Sequence, residues 1–169
     1  STGALDGQWV PRVFAPTALD VDIVPFDGGV FVGAVASEQA IERRYLAAVS
    51  LSTGAVLAFD ASPAGWLTPI SRVAVNGTHV FTASGNTVRS VSRTTGAIES
   101  WSVTAVAVGL ASANARVSAL AATDSTVYVG GYFNQLLGAA PVPTQVRGHA
   151  GAFDAVTGSV QPWHPNVGG

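Results

Sequence analysis

The chain has 169 residues, 48% of them hydrophobic, with only 11% charged and a net charge of −2. Against about 25% charged residues in an average soluble domain, this composition supplies ample core material and no electrostatic footprint for nucleic acid. Cys, Met and Lys are absent and all eight basic residues are Arg, which excludes a disulfide framework, a thiolate metal site and a Lys-bearing phosphate loop.

The chain opens at Ser1 without Met, the mark of a processed chain or a fragment. Its first stretch, "STGALDGQW", reads as a hairpin turn at Gly3 followed by a strand carrying Trp9. Residues 1–12 are therefore expected to be the outer strand of a preceding unit. Residues 13–65 then read as four short strands: "VDIVPF", "GGVFVGAV", "RRYLAAVS" and, after Thr53-Gly54, "AVLAFD" with Phe59. Residues 66–104 repeat that order with "ISRVAV", "THVFTAS", "TVRSVS" and, after Thr95-Gly96, "AIESW" ending on Trp101. Residues 105–169 give "ARVSALAA", "VYVGGYF", a long loop from Asn134 to Val146, "RGHAGAFDA" and, after Thr157-Gly158, "SVQPW" with Trp163. Alternating and β-branched runs bounded by turn residues are strand signals, and no segment sustains a helical period. The least charged stretch, "SVTAVAVGLASANA" (Ser102 to Ala115), is too short and polar to span a bilayer and reads as an apolar connection; no membrane insertion is expected.

Four copies of one pattern thus align on Gly3, Gly54, Gly96 and Gly158, each followed by a large aromatic: Trp9, Phe59, Trp101 and Trp163. The glycines suit a turn position with positive φ. Without a bulge, the turn geometry sets Phe59 opposite Leu46, Trp101 opposite Val88 and Trp163 opposite Ala150. Opposed residues lie about 5 Å apart, so a large aromatic beside a smaller partner suggests a packing post between sheets. One more residue between Gly3 and Trp9 suggests a bulge in the first copy. Four-stranded units of this length with an aromatic signature describe the blades of a β-propeller. The expected fold is all-β, a propeller-like array of three full four-stranded antiparallel blades plus one strand. Three blades do not close a ring, so further blades from the same longer chain or from identical copies are expected as partners.

"VYVGGYFNQLLG" (Val127 to Gly138) followed by "RGHAGAFDAVTGSVQPWHPNVGG" (Arg147 to Gly169) resembles the delta-sixty type of bacterial propeller repeat. Its features are a Val-Tyr-Val-Gly-Gly-x-Phe strand, an Arg-led strand with Ala-x-Asp, then Thr-Gly and Trp-x-Pro. The second copy keeps Thr95-Gly96 and Trp101 without the Gly-Gly pair; the first has Ser50 in the place of Asp154 and Phe59 in the place of Trp163. The resemblance implies an extracellular, cell-surface or virion-fibre setting. Ala152, Asp154, Thr157 and Gly158 also resemble the quinoprotein-like propeller repeat, with Trp163 one residue late. That similarity implies shared architecture and no quinone cofactor.

Catalytic patterns are missing: there is no G-x-S-x-G elbow, and Asp20, Asp22, Asp27 and Asp124 follow no calcium-loop spacing. No cofactor is expected. The assumed register sets His149 opposite His164, a polar cross-strand pair that becomes a metal candidate only with a third ligand. Asn76-Gly77-Thr78 matches a glycosylation sequon and reads better as a hairpin turn. Arg44, Tyr45, Arg147 and His149, at the entries to the third strands, are the candidates for contact with an acidic or sugar ligand. The apolar residues Leu136, Leu137, Pro141, Val142 and Pro143 make the long loop the candidate protein contact. The function expected is a non-enzymatic propeller module for protein interaction or structural assembly. The alternatives are a carbohydrate-binding or carbohydrate-active propeller and a fragment of a quinoprotein-type dehydrogenase.

Overall fold

The computed structural model describes residues 13–14, 22–33, 35–38, 41–43, 45–61, 70–110, 114–138, 144–165 and 167. Gly3 and Trp9 lie outside them, as do Arg44 and residues 141–143. Among the described residues the fold is all-β, with fifteen strands in four antiparallel sheets.

The first repeat sheet holds β2 (Ile23–Phe26), β3 (Gly29–Val32) and β6 (Ala47–Ser50), in that order. A small separate sheet joins β1 (Val13–Phe14), β4 (Val35–Glu38) and β5 (Ile41–Arg43). The segment from Ser37 to Glu42 is thus part of a paired hairpin, with Ser37 opposite Glu42. The second sheet runs through β7 (Arg72–Val75), β8 (His79–Ser84), β9 (Thr87–Ser92) and β10 (Ile98–Val106). The third holds β11 (Arg116–Ala122), β12 (Thr126–Tyr132) and β15 (Ala150–Asp154).

Three sequence expectations need correction. The fourth strands of the first and third repeats are reduced to single bridges, Val49 with Val56 and Phe153 with Val160. The apolar connection from Ser102 is a strand as far as Val106, because Val103 and Ala105 bury their side chains while Ser102 stays exposed. The long loop contains β13 (Gln135–Leu137) and β14 (Gln145–Val146), which pair with each other; β13 also pairs with β10. The second sheet therefore has six strands, two of them from the sequence of the third repeat.

Alternation along each strand divides the core into layers. Phe31 and Ala48 of the first sheet cluster with Val73, Val80 and Val91 of the second. Ala74, Phe81, Ala83 and Val88 of the second sheet cluster with Val117, Val127, Val129 and Phe153 of the third. The second sheet is therefore buried on both faces. A fully buried Phe or Val contributes about 1.5–3 kcal/mol, so these two seams are the main hydrophobic stabilisation of the stack.

Candidate interaction surface

The Thr-Gly turns are built alike. Gly54, Gly96 and Gly158 have φ of 72°, 77° and 69°, a region closed to most L side chains. Each turn is capped by the side chain four residues before its glycine. The Asp154 carboxylate accepts the N–H groups of Val156 (3.0 Å) and Thr157 (2.8 Å) and the Thr157 hydroxyl (2.9 Å). Ser50 Oγ accepts from Ser52 and Thr53, and Ser92 Oγ from Thr95. Burial alone would raise the Asp154 pKa; the bonds from Thr157 and Val156 outweigh it and hold the carboxyl below its ordinary value.

The bridges give Val49–Val56 and Phe153–Val160 the register set by the Thr-Gly alignment. The second repeat keeps it at Ile98–Val91 and departs from it further along. A bulge between Ile98 and Ser102 shifts the strand, so Val88 pairs with Val103 instead of Trp101. The bulge leaves Trp101 only 6% exposed, and its ring packs against Phe81 of its own sheet and edge-on against Phe153 of the next, 5.5 Å away.

Both seams bring one repeat into close contact with the Thr-Gly turn of the next, by different groups. A Cβ on Gly158 would stand 2.7 Å from Trp101 Cδ2 and Cε3, so the indole lies directly on the turn of the following repeat. A Cβ on Gly96 would overlap the Asp60 carbonyl, next to Phe59 of the preceding repeat. Each post is backed by an aromatic from the second strand of its own repeat. The pairs are Phe31–Phe59 (5.0 Å), Phe81–Trp101 (6.1 Å) and Tyr128–Trp163 (5.1 Å). Polar ties cross both seams. Asp22 Oδ2 accepts the Val73 N–H at 2.6 Å, Arg72 Nε donates to the Ser118 carbonyl at 2.6 Å, and Asn76 Nδ2 donates to the carbonyls of Thr123 and Asp124. Asn76 is buried and its Oδ1 accepts from Thr78 and His79, so the sequon residue serves as a turn.

The third aromatic pair is open: Trp163 is 45% exposed, whereas Phe59, like Trp101, is 6% exposed. Tyr128 is absent from the candidates named by sequence. The signal that marks it is the alignment of Phe31, Phe81 and Tyr128 in "VFV", "VFT" and "VYV".

The residues expected to bind a ligand are not gathered in one place. Arg147 is 9% exposed, and its terminal nitrogens donate to the carbonyls of Val146 and Gln161, both at 2.7 Å. Tyr45 and His149 occupy equivalent corners of two different sheets, both at positive φ (69° and 60°). His149 Nδ1 lies 3.1 Å from the Gly131 carbonyl. The hairpin pairing last includes Gln161, whose N–H bonds to Ala152, and does not carry on to His149 and His164. Among the described residues no three His, Cys, Asp or Glu side chains could hold one metal ion. Leu136 is 1% exposed and belongs to the core between the second and third sheets; Leu137 is 41% exposed. Burial on β13 thus takes Leu136 out of any partner surface.

Among the described residues, two clefts open beside the seams. One of about 480 Å³ lies between the first and second sheets, lined by Phe26, Asp27, Phe31, Phe59 and Arg93, with the Arg93 guanidinium 5.3 Å over the Phe26 ring. The other, about 420 Å³, is lined by Gly85, Asn114, Ala115, Arg116 and Tyr132; the Tyr132 ring is 6.0 Å from that of His149.

No protein family matches the sequence, and no curated protein matches it. The crystal structure of the computationally designed Ika4 protein is similar, with a TM-score of 0.54 and 15% identity. The match covers 92% of this chain and 79% of that one. This is a likeness of fold alone.

Proposed function

We propose that the chain is a run of β-propeller-like blades that works as a non-enzymatic interaction or assembly module of a secreted, cell-surface or virion-fibre protein. The observation that supports this most directly is the close seam on the Thr-Gly turn of the next repeat, made by the Trp101 indole at Gly158 and by the Asp60 backbone beside Phe59 at Gly96. It spends the aromatic and Thr-Gly positions on joining units. The extracellular setting rests on the resemblance of Val127–Gly138 and Arg147–Gly169 to the delta-sixty repeat. The test is a glycan array probed with the whole chain, with its solution mass measured in parallel. No robust sugar signal is expected, and strong binding to a defined saccharide would overturn the assembly reading. The cleft at Asn114, Arg116 and Tyr132 is what favours the second reading, carbohydrate binding, since it sets an aromatic ring beside an exposed cation and an amide.

A further inference from the structure

The two seams differ beside the first hairpin of each repeat. Phe26, Asn76 and Thr123 hold equivalent places there, facing Gly29, His79 and Thr126 across a tight turn. At the second seam the buried Asn76 donates Nδ2 to the carbonyls of Thr123 and Asp124. At the first seam Phe26 stands in the place of Asn76 and has no donor to offer. The equivalent carbonyls, those of Asn76 and Gly77, accept instead from Arg93 Nη1, at 3.1 and 3.4 Å. Arg93 is particular to this seam. In the third repeat its place is held by the buried Ala155, whose N–H bonds to Ser125 as that of Arg93 bonds to Thr78. With Phe and Arg doing the work of one Asn, the first seam keeps its cleft of about 480 Å³.

Three kinds of chemistry line that cleft. Its floor is aromatic. The Phe26 ring folds over Gly29, where a Cβ would stand 2.5 Å from Cζ; it meets Phe31 at 4.4 Å, and Phe31 meets Phe59 edge-on. The second sheet contributes Arg93, which spends only Nη1 on the protein. Its Nε–Nη2 edge, the one that receives a carboxylate with two parallel bonds, meets no acceptor among the described residues and is not buried. The first sheet contributes the exposed Asp27, and no ion pair joins it to Arg93. Two opposite charges, one from each sheet, therefore flank an apolar floor without neutralising each other. The volume falls within the range of about 300–1,000 Å³ that small-molecule sites occupy.

From this we propose that the cleft binds a free α-amino acid with an aromatic side chain. Its carboxylate sits on the Nε–Nη2 edge of Arg93, its ammonium faces Asp27, and its ring lies on Phe26 and Leu57. A simple acid would leave Asp27 facing a like charge, and a simple amine would do the same to Arg93. Only a zwitterion matches both, and in an amino acid the apolar group leaves from the carbon that carries both charges. This is a ligand-binding role beyond the assembly reading and independent of it. Because the ligand touches both sheets, its binding stabilises the first seam.

The test is titration calorimetry on the whole chain with four probes. They are phenylalanine, 3-phenylpropionate (no ammonium), phenethylamine (no carboxylate) and glycine (no ring). Phenylalanine is expected to saturate one site with a Kd below about 1 mM and to raise the thermal midpoint. The other three should each bind about tenfold more weakly or worse. Asp27→Asn, at an exposed turn, should weaken phenylalanine about tenfold without weakening 3-phenylpropionate. Arg93→Gln should weaken phenylalanine and 3-phenylpropionate and spare phenethylamine. Circular dichroism shows whether Arg93→Gln still folds; if it does not, Asp27→Asn decides alone. No saturable heat from phenylalanine up to about 10 mM would overturn the assignment. So would 3-phenylpropionate or glycine binding as tightly as phenylalanine, or unchanged affinity in Asp27→Asn. Amide shifts on titration that gather away from Phe26, Asp27 and Arg93 would overturn it as well.

Discussion

Gly158→Ala is the most direct probe of the seam between the second and third sheets. Two costs fall on it together. At φ 69° an L side chain adds about 1–2 kcal/mol of backbone strain. Its Cβ would also stand 2.7 Å from two carbons of the Trp101 ring and 3.0 Å from a third, and overpacking of a close-fitted core costs about 1–3 kcal/mol. The expected loss is therefore about 2–5 kcal/mol, a large part of the roughly 5–15 kcal/mol that holds a domain folded. Gly28→Ala and Gly85→Ala are the controls. Both glycines have positive φ, 85° and 59°, with nothing within 4 Å of the place a methyl would take, so they should lose the strain alone. Urea unfolding followed by circular dichroism gives the three losses. In a Trp101→Leu background the ring is gone, and Gly158→Ala should then cost no more than the controls. Equal losses at all three glycines, or full additivity with Trp101→Leu, would refute the docking argument.

Asp154 and His149 give two further tests. The Asp154 pKa is lower in the folded chain than in the unfolded one, so its contribution is fully present above the ordinary carboxylate pKa and fades as pH falls through the depressed value. Asp154→Ala should lose about 1 kcal/mol at pH 7 and much less in strong acid, while Asp154→Ser, the residue at Ser50 and Ser92, should keep most of the cap; thermal melts across pH read both, and a gap that widens in acid would contradict the assignment. His149→Gly should be more stable than His149→Ala by about 1 kcal/mol, because only glycine relieves a φ of 60°; equal denaturant midpoints for the two would show that the corner carries no strain.

The Thr-Gly alignment makes the hairpin register of the first and third repeats legible, because turn chemistry is local and the residues that fix it are neighbours in sequence. Trp101 shows where local reasoning ends. Its bulge is set by the fit of the ring between Phe81 and Phe153, and Phe153 lies more than fifty residues along the chain. The strand from Ser102 to Val106 and the hairpin at Gln135 look like connections in the sequence for the same reason. Each pairs with the strand beside it in sequence, β9 or β14, and also with the other, and that long-range pairing has no local signal. Of the candidate site, Trp163 is legible as a post. That its face is open, and that Tyr128 backs it, depends on which neighbour covers which sheet. Arg147 misleads because an Arg leading a strand looks the same whether its fork meets a ligand or two carbonyls of its own chain.

The hairpin from Gln135 to Val146 belongs to one repeat by sequence and to its neighbour by hydrogen bonding. In a stack joined only by side chains, an end unit can melt while the rest survives. Here the last repeat cannot detach without also stripping backbone bonds from β10. The second and third sheets should therefore open as one cooperative unit, their amides sharing a single exchange free energy. Pulling on the C-terminal end would load β15, which carries Phe153 of the second seam, before the force reached the hairpin held on β10.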